Sequence, residues 1–272
     1  DLLFTSLPTG ESQILIKKLI NFKNLKIIDL AADFRLKDPK IYKEFYGKKH
    51  LSINLLNSSL YSLSEFVKNK ISNYKIISCP GCYPTTVQIP LIPLIKNKMI
   101  KKNNIIIDSK SGYSGAGKNL EKKFTHKNLY SSIHAYGPPK HRHTSEIDQQ
   151  FQNISNKKIS YIFIPHLIPT FRGMLSTIYV EKENGVSAFK IYKYLKKIHK
   201  NNFFVKILPF NKKLGTENVI NTNFCQVSVC LSGSKNKVII FSAIDNLIKG
   251  AGGQAVQNMN ILFGFNESLG LV

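Results

Sequence analysis

The chain has 272 residues, 43% of them hydrophobic, and a formal net charge of +23. That length suits one large or two ordinary domains, and the longest apolar runs, such as VIIFSAI, fall far short of the roughly 18 residues a membrane span needs. Four cysteines in so long a chain exclude a disulfide scaffold and read as reduced thiols. No signal peptide opens the chain, so the cytoplasm is the expected location. The lysines are scattered in ones and twos, as in KNKMIKKNN, with no zinc-finger spacing and no aromatic RNA-binding signature. A compositional bias explains them better than nucleic-acid binding, although the excess charge would still attract an anionic substrate.

Taken in chain order, LLF reads as a strand, Pro8-Thr9-Gly10 as a turn, and Glu11 to Ile20 as a helix. LKIIDL (25–30) is a short buried strand. Asp38-Pro39 cap and open a helix that Gly47 stops. YKIIS (74–78) is a third strand, and strands alternating with helices predict a parallel α/β sheet. From NIIIDSK (104–110) onward the chain becomes strand-rich: GYSGAGK (112–118) is a glycine-rich loop, and KISYIFIPH, MLSTIYVE, FFVKIL, FCQVSVCL and KVIIFSAI are strands. SAFKIYKYLKKIHK (187–200) is an amphipathic helix, and KGAGGQAVQNMNILFG is a last helix. This half predicts a mixed or antiparallel α+β sheet.

The stretch SCPGCYPTT (78–86) lies between two apolar runs. CPGC matches the dithiol pattern, but Pro80-Gly81 reads as the turn itself and Pro84 fits a first helical turn. That places Cys79 at a strand end and Cys82 at a helix N-terminus. There the backbone N–H groups and the helix dipole lower a thiol's pKa from about 8.5, and the same groups can hold an oxyanion. With no second C-x-x-C pair, no metal site is expected. The richest histidine stretch is KHRHTSEID (140–148), where His143 and Glu146 are spaced i, i+3 so that the carboxylate can orient the imidazole. IPHLIPTFRG supplies His166, whose apolar neighbours suggest a packed ring. His50, His126, His134 and His199 read as surface or core residues. Only three of 39 basic residues are arginine, Arg35, Arg142 and Arg172. Since lysine cannot copy arginine's planar fork, these are candidates for binding carboxylate or phosphate.

The ordered blocks LPTG, IIDLAADFRL, PGCYPT, SGYSGAG, KHRHTSEI, PHLIPTFRGM and SAIDNLIKGAGGQAVQNMN, covering nearly the whole chain, resemble the N-acetyl-gamma-glutamyl-phosphate reductases of arginine biosynthesis. The resemblance implies a cysteine nucleophile at Cys82 that forms a thioester from an acyl phosphate, NADP(H) as hydride donor, and an acid/base histidine at His143 with Glu146. His141 lies nearby in the same motif; the reading of the residues adds Arg142 and Arg172 as fork donors beside the substrate, and Arg35 at the substrate or a domain interface. The resemblance implies cofactor contacts at Leu7, Pro8, Ser114, Gly115 and Asn246. The fold it implies is α/β: a partial Rossmann-type parallel sheet (1–80), an α+β catalytic and oligomerisation domain with a mixed sheet (81–245), and a C-terminal helix (246–272) that returns to the first domain. A homo-oligomer acting on a small acyl phosphate, with neither nucleic acid nor membrane as partner, goes with it.

One departure stands out: the family's glycine-rich pyrophosphate turn does not precede Asp1. The chain is therefore expected to be a fragment or truncated product, with a remnant unable to hold NADPH as one alternative. Aspartate-semialdehyde dehydrogenase shares the cysteine–histidine logic, but PGCYPT and HRHTSEI argue against it. A basic nucleic-acid binder is the remaining alternative.

Overall fold

The computed structural model describes residues 1–117, 131–137, 140–155 and 158–272. They form two compact units, Asp1–Gly81 with Ala251–Val272, and Cys82–Gly250.

The first unit contains β1 (Leu2–Thr5), α1 (Glu11–Leu19), β2 (Lys26–Asp29), α2 (Pro39–Tyr46), β3 (Ser59–Tyr61), the single turn α3 (Ser64–Val67) and β4 (Ile76–Ser78). The strands form an all-parallel sheet in the order β1-β2-β4-β3. Parallel strands are covered on both faces, so they read as short continuous apolar runs; Ile27, Ile28, Ile76 and Ile77 are fully buried. α2 is capped as its sequence predicts. The Asp38 side chain accepts from Lys40 N–H at 2.7 Å, and Gly47, at φ 69°, closes the helix onto the Lys43 carbonyl. α1 is capped from a distance. The Asp33 carboxylate accepts from Gly10 N–H at 2.9 Å and Gln13 N–H at 3.1 Å, and from the Tyr42 hydroxyl at 2.6 Å. A carboxylate there offsets the positive end of the helix dipole.

The final helix, Gly253–Leu262, is held in this unit by buried amides. Asn258 Oδ1 accepts from the hydroxyls of Ser62 and Ser64 at 2.8 and 2.7 Å, and Gln254 Nε2 donates to Ser64 Oγ at 2.8 Å. These bonds offset much of the cost of burying a polar helix, while Gln254 Oε1 and Asn260 Oδ1 are buried with no hydrogen-bond partner among the described residues.

The second unit contains α4 (Cys82–Lys96), β5 (Ile105–Gly112), β6 (His134–Ala135), α5 (His143–Ile154), β7 (Tyr161–Ile168), β8 (Met174–Glu181), α6 (Ala188–Ile198), β9 (Val205–Ile207), β10 (Cys225–Leu231) and β11 (Lys237–Ile244). Among the described residues its strands form a seven-stranded sheet, β6-β7-β5-β8-β11-β10-β9. The β5/β7 and β9/β10 pairs are parallel and the rest antiparallel, so the sheet is mixed. Strand alternation divides it into two faces. Ile107, Ile178 and Ile240 are fully buried on the side where α4 packs, whereas Ile106, Ile162 and Tyr179 on the other side are exposed.

α4 is apolar nearly all round, as a buried helix must be. It tolerates Pro93 for a specific reason. Proline has no N–H for the carbonyl four residues back, and that carbonyl, Ile89 O, lies 3.1 Å from the ring nitrogen Nε2 of buried His199. His199 therefore serves the core.

Candidate active site

Cys82 is the first residue of α4, and its thiol is partly exposed and unbridged. The chain approaches it closely from the end of the unit: a Cβ added to Gly250 would lie 2.7 Å from the Cys82 Cβ. Only glycine leaves room there. Cys79 and Cys225 are buried, and Cys230 is partly exposed.

α5 starts at His143, with Arg142 at its cap position. The His143 backbone N–H donates to His141 Nδ1 at 3.2 Å. That acceptor role leaves the Nε2 of a neutral His141 to carry the proton. His143 and Glu146 are both buried, and His143 Nε2 stands 3.9 Å from Glu146 Oε1. The i, i+3 spacing thus brings the carboxylate alongside the imidazole, at a length beyond a direct hydrogen bond. Gln88 of α4 donates to the Glu146 carbonyl at 3.2 Å and so ties the two helices together near their active ends.

The two helices also meet through an aromatic cluster. The ring of Tyr83, next in chain to Cys82, lies 5.5 Å from His141, 5.9 Å from His143 and 5.5 Å from Phe163. Tyr136 packs 5.3 Å from His141, and its hydroxyl donates to that of Tyr83 at 3.2 Å. Burial pushes the Tyr136 phenol well above its usual range. The Cys82 thiolate pushes the same way and Arg142 opposes it, which puts this phenol within the field of both. Tyr83, Tyr136 and Phe163 were not marked by the motif reading. The available signal was an aromatic residue directly after Cys82.

Arg142 is exposed at the mouth of α5. Arg172 is placed differently from the sequence expectation of a fork aimed at substrate. Its Nε lies 2.8 Å from Asp245 Oδ2, Nη2 donates to Asp245 Oδ1 at 3.0 Å, and Nη1 donates to Asn221 at 2.6 Å. The fork is spent on a fully buried carboxylate. That carboxylate also accepts the backbone N–H groups of Asn221, Leu247 and Ile248, and so shapes the segment leading to Gly250. His166 is likewise no packed ring: it is partly exposed, with Nδ1 3.1 Å from Asp108 Oδ1 on the open sheet face. Arg35, in the first unit, donates from Nη2 to the Leu30 carbonyl at 2.8 Å. His50 contacts the Asp33 carbonyl at 2.8 Å and His134 contacts Ser132 at 2.7 Å; His126 lies outside the described residues.

Of the residues expected at the cofactor, Leu7 and Pro8 follow β1, at the carboxyl end of the parallel sheet, the end where such sheets take dinucleotides. The first turn of α1 is already filled by Asp33, so a pyrophosphate would find no free helix N-terminus there. Ser114, Gly115 and Asn246 belong to the second unit. Asn246 donates to Ser114 Oγ at 2.9 Å and accepts Gly173 N–H at 2.8 Å. A Cβ on Gly115 would lie 2.4 Å from Ser111 Oγ, so packing already accounts for that glycine. Among the described residues no group of three or more His, Cys, Asp or Glu is placed to hold a metal ion.

A cysteine that opens one helix and a histidine that opens another, brought together through the Tyr83 ring on a mixed-sheet domain, suit an oxidoreductase of the semialdehyde dehydrogenase class. Residues 82–246 match the family model described as semialdehyde dehydrogenase, dimerisation domain. Aspartate semialdehyde dehydrogenase II from Vibrio cholerae shares the fold, with a TM-score of 0.69 at 15% identity over 96% of this chain and 79% of that one. The chain is 40% identical over its full length to N-acetyl-gamma-glutamyl-phosphate reductase of Afipia carboxidovorans and 43% identical to that of Clostridium botulinum, covering 77% and 78% of them. A probable chloroplastic N-acetyl-gamma-glutamyl-phosphate reductase of Arabidopsis thaliana is 43% identical, and the chain spans 67% of it. The chain belongs to the N-acetyl-gamma-glutamyl-phosphate reductase family of oxidoreductases.

Proposed function

We propose that this chain carries the catalytic residues for reductive dephosphorylation of N-acetyl-glutamyl 5-phosphate to N-acetyl-glutamate 5-semialdehyde, a step of arginine biosynthesis in the cytoplasm. One observation carries the reading: Cys82 at the start of α4 and His141, His143 and Glu146 at the start of α5 are joined through the Tyr83 ring and the Gln88 bond. The Cys82 thiolate attacks the acyl carbon, its helix N-terminus holds the oxyanion, and the carbon–oxygen bond to phosphate breaks, leaving a thioester. NADP(H), when bound, supplies the hydride. His143 protonates the thiohemiacetal oxygen as it forms and takes that proton back when the sulfur leaves as thiolate. Glu146 orients the imidazole, while the Nε2–H of His141 and the Arg142 guanidinium face the anionic substrate. Arg172 acts at one remove, by fixing Asp245 and the segment that abuts Cys82.

The match to a dimerisation domain and the exposed apolar residues Ile106, Ile162 and Tyr179 on one sheet face support a homodimer packed through that face. The excess lysine is then a background attraction for the anionic substrate. No helix among the described residues is long and apolar enough to cross a membrane. The test is acyl-phosphate-dependent oxidation of NADPH: Cys82→Ser should abolish it, and an unchanged rate in that variant would refute the reading.

A further inference from the structure

Tyr83 is wholly buried although it adjoins the reacting thiol. Its ring meets His141 at 87° and 5.5 Å, His143 at 62° and 5.9 Å, and Phe163 at 71° and 5.5 Å, three edge-to-face contacts from one side chain. Aromatic pairs prefer this geometry, and it fixes ring orientation as well as distance. The hydroxyl accepts from Tyr136 at 3.2 Å and donates to the His166 carbonyl at 3.3 Å, which fixes the far end of the side chain. Burial, reinforced by Tyr136 and Cys82, holds the phenol well above its usual range, so it remains a donor throughout.

The two imidazoles are 4.8 Å apart. The bond from the His143 N–H to His141 is made by the backbone and sets where the α5 start lies. The His143 ring itself is flanked by Glu146 at 3.9 Å and by the Tyr83 ring at 5.9 Å.

We infer that Tyr83 is a positioning residue for the reaction. Its ring holds the imidazoles of His141 and His143 in their working orientation, and its hydroxyl anchors the tip of the side chain. The inference rests on the assignment of Cys82 and His143 above. It separates the ring's role from that of the hydroxyl: Tyr83→Phe keeps all three edge-to-face contacts, whereas Tyr83→Leu keeps bulk and loses them.

The experiment compares Tyr83→Phe, Tyr83→Leu and Cys82→Ser, each checked for folding by circular dichroism. Steady-state kinetics are measured across pH, and the His141 and His143 rings are titrated by NMR. Tyr83→Phe should stay within about threefold of the unsubstituted enzyme. Tyr83→Leu should lose up to about 10²-fold in kcat with little change in KM, as a misplaced catalytic group does. The His143 titration midpoint should move in Tyr83→Leu and stay in Tyr83→Phe. Equal losses in both variants, or an unmoved His143 titration in Tyr83→Leu, would overturn the inference. The titration needs no turnover, so it judges Tyr83 even if Cys82→Ser stays active and the functional reading itself fails. Should Tyr83→Leu not fold, ring-to-ring NOEs between Tyr83 and both imidazoles in the unsubstituted protein decide it, and their absence would refute the contact.

Discussion

Cys82 and Cys79 lie three residues apart and meet opposite surroundings. Cys82 opens a helix and is partly exposed, whereas Cys79 is buried, 3.6 Å from the Asn258 amide. Iodoacetamide at neutral pH should therefore modify Cys82 well before Cys79 or Cys225. Equal modification of Cys79 and Cys82 would revive the dithiol reading. His143 and His166 are distinguished in the same manner. His143 is buried beside Glu146 in the aromatic cluster, while His166 belongs to an Asp108 pair on the far face. His143→Asn should cut turnover by about 10²–10⁴-fold, the usual worth of a positioned acid/base group, and His166→Asn far less; steady-state kinetics on both variants check this. The motif reading placed Cys82, His143 and Glu146 at helix starts, where they lie, because helix-start signals are local in sequence. It could not see that Arg172 is committed to Asp245, because that pair joins strand ends 73 residues apart.

Elements were legible where their signals were local and not where partners came from afar. MLSTIYVE (174–181) became β8 without a shift of boundary, and Asp38-Pro39 and Gly47 frame α2. β3, three residues long, had no periodicity to read, and the burial of the final helix depends on amide partners nearly 200 residues away. α4 shows a testable version of such dependence. His199→Ala would leave the Ile89 carbonyl without its buried partner, at a cost of about 1–3 kcal/mol. Adding Pro93→Ala restores an N–H one helical turn on, so the double variant should recover part of that loss in urea denaturation. Strictly additive losses would contradict the account. Asp29, at the end of β2, offers a second test. Burial raises its carboxyl to about 6 against the bonds from Ser12 at 2.7 Å and Ala31 at 3.0 Å. A folded value above the unfolded one means that this group's contribution is complete below about pH 4 and is lost as pH rises through 6. Asp29→Asn can keep both bonds, so at pH 8 it should be more stable than the parent by at most about 3 kcal/mol. At pH 4 the two should be equal, as read by thermal melts at both pH values.

At the scale of the whole molecule, the second unit presents an apolar sheet face whose alternation was readable in each strand, although which face lay uncovered was not. If a second copy packs there, Ile162→Asp should convert a dimer to monomer in sedimentation velocity. The proposed chemistry divides into a half that would need only this chain's thiol and a half that would need hydride. The first half is the central claim, and it can be measured without NADPH. Purified chain is mixed with N-acetyl-glutamyl phosphate, quenched in acid and digested, and the cysteine peptides are weighed by mass spectrometry while released phosphate is counted. An acyl adduct on the peptide carrying Cys82, confined to Cys82 by fragmentation and matched by an equal release of phosphate, is the predicted result. Phosphate released with no adduct on Cys82, or an adduct on Cys79 instead, would contradict the account.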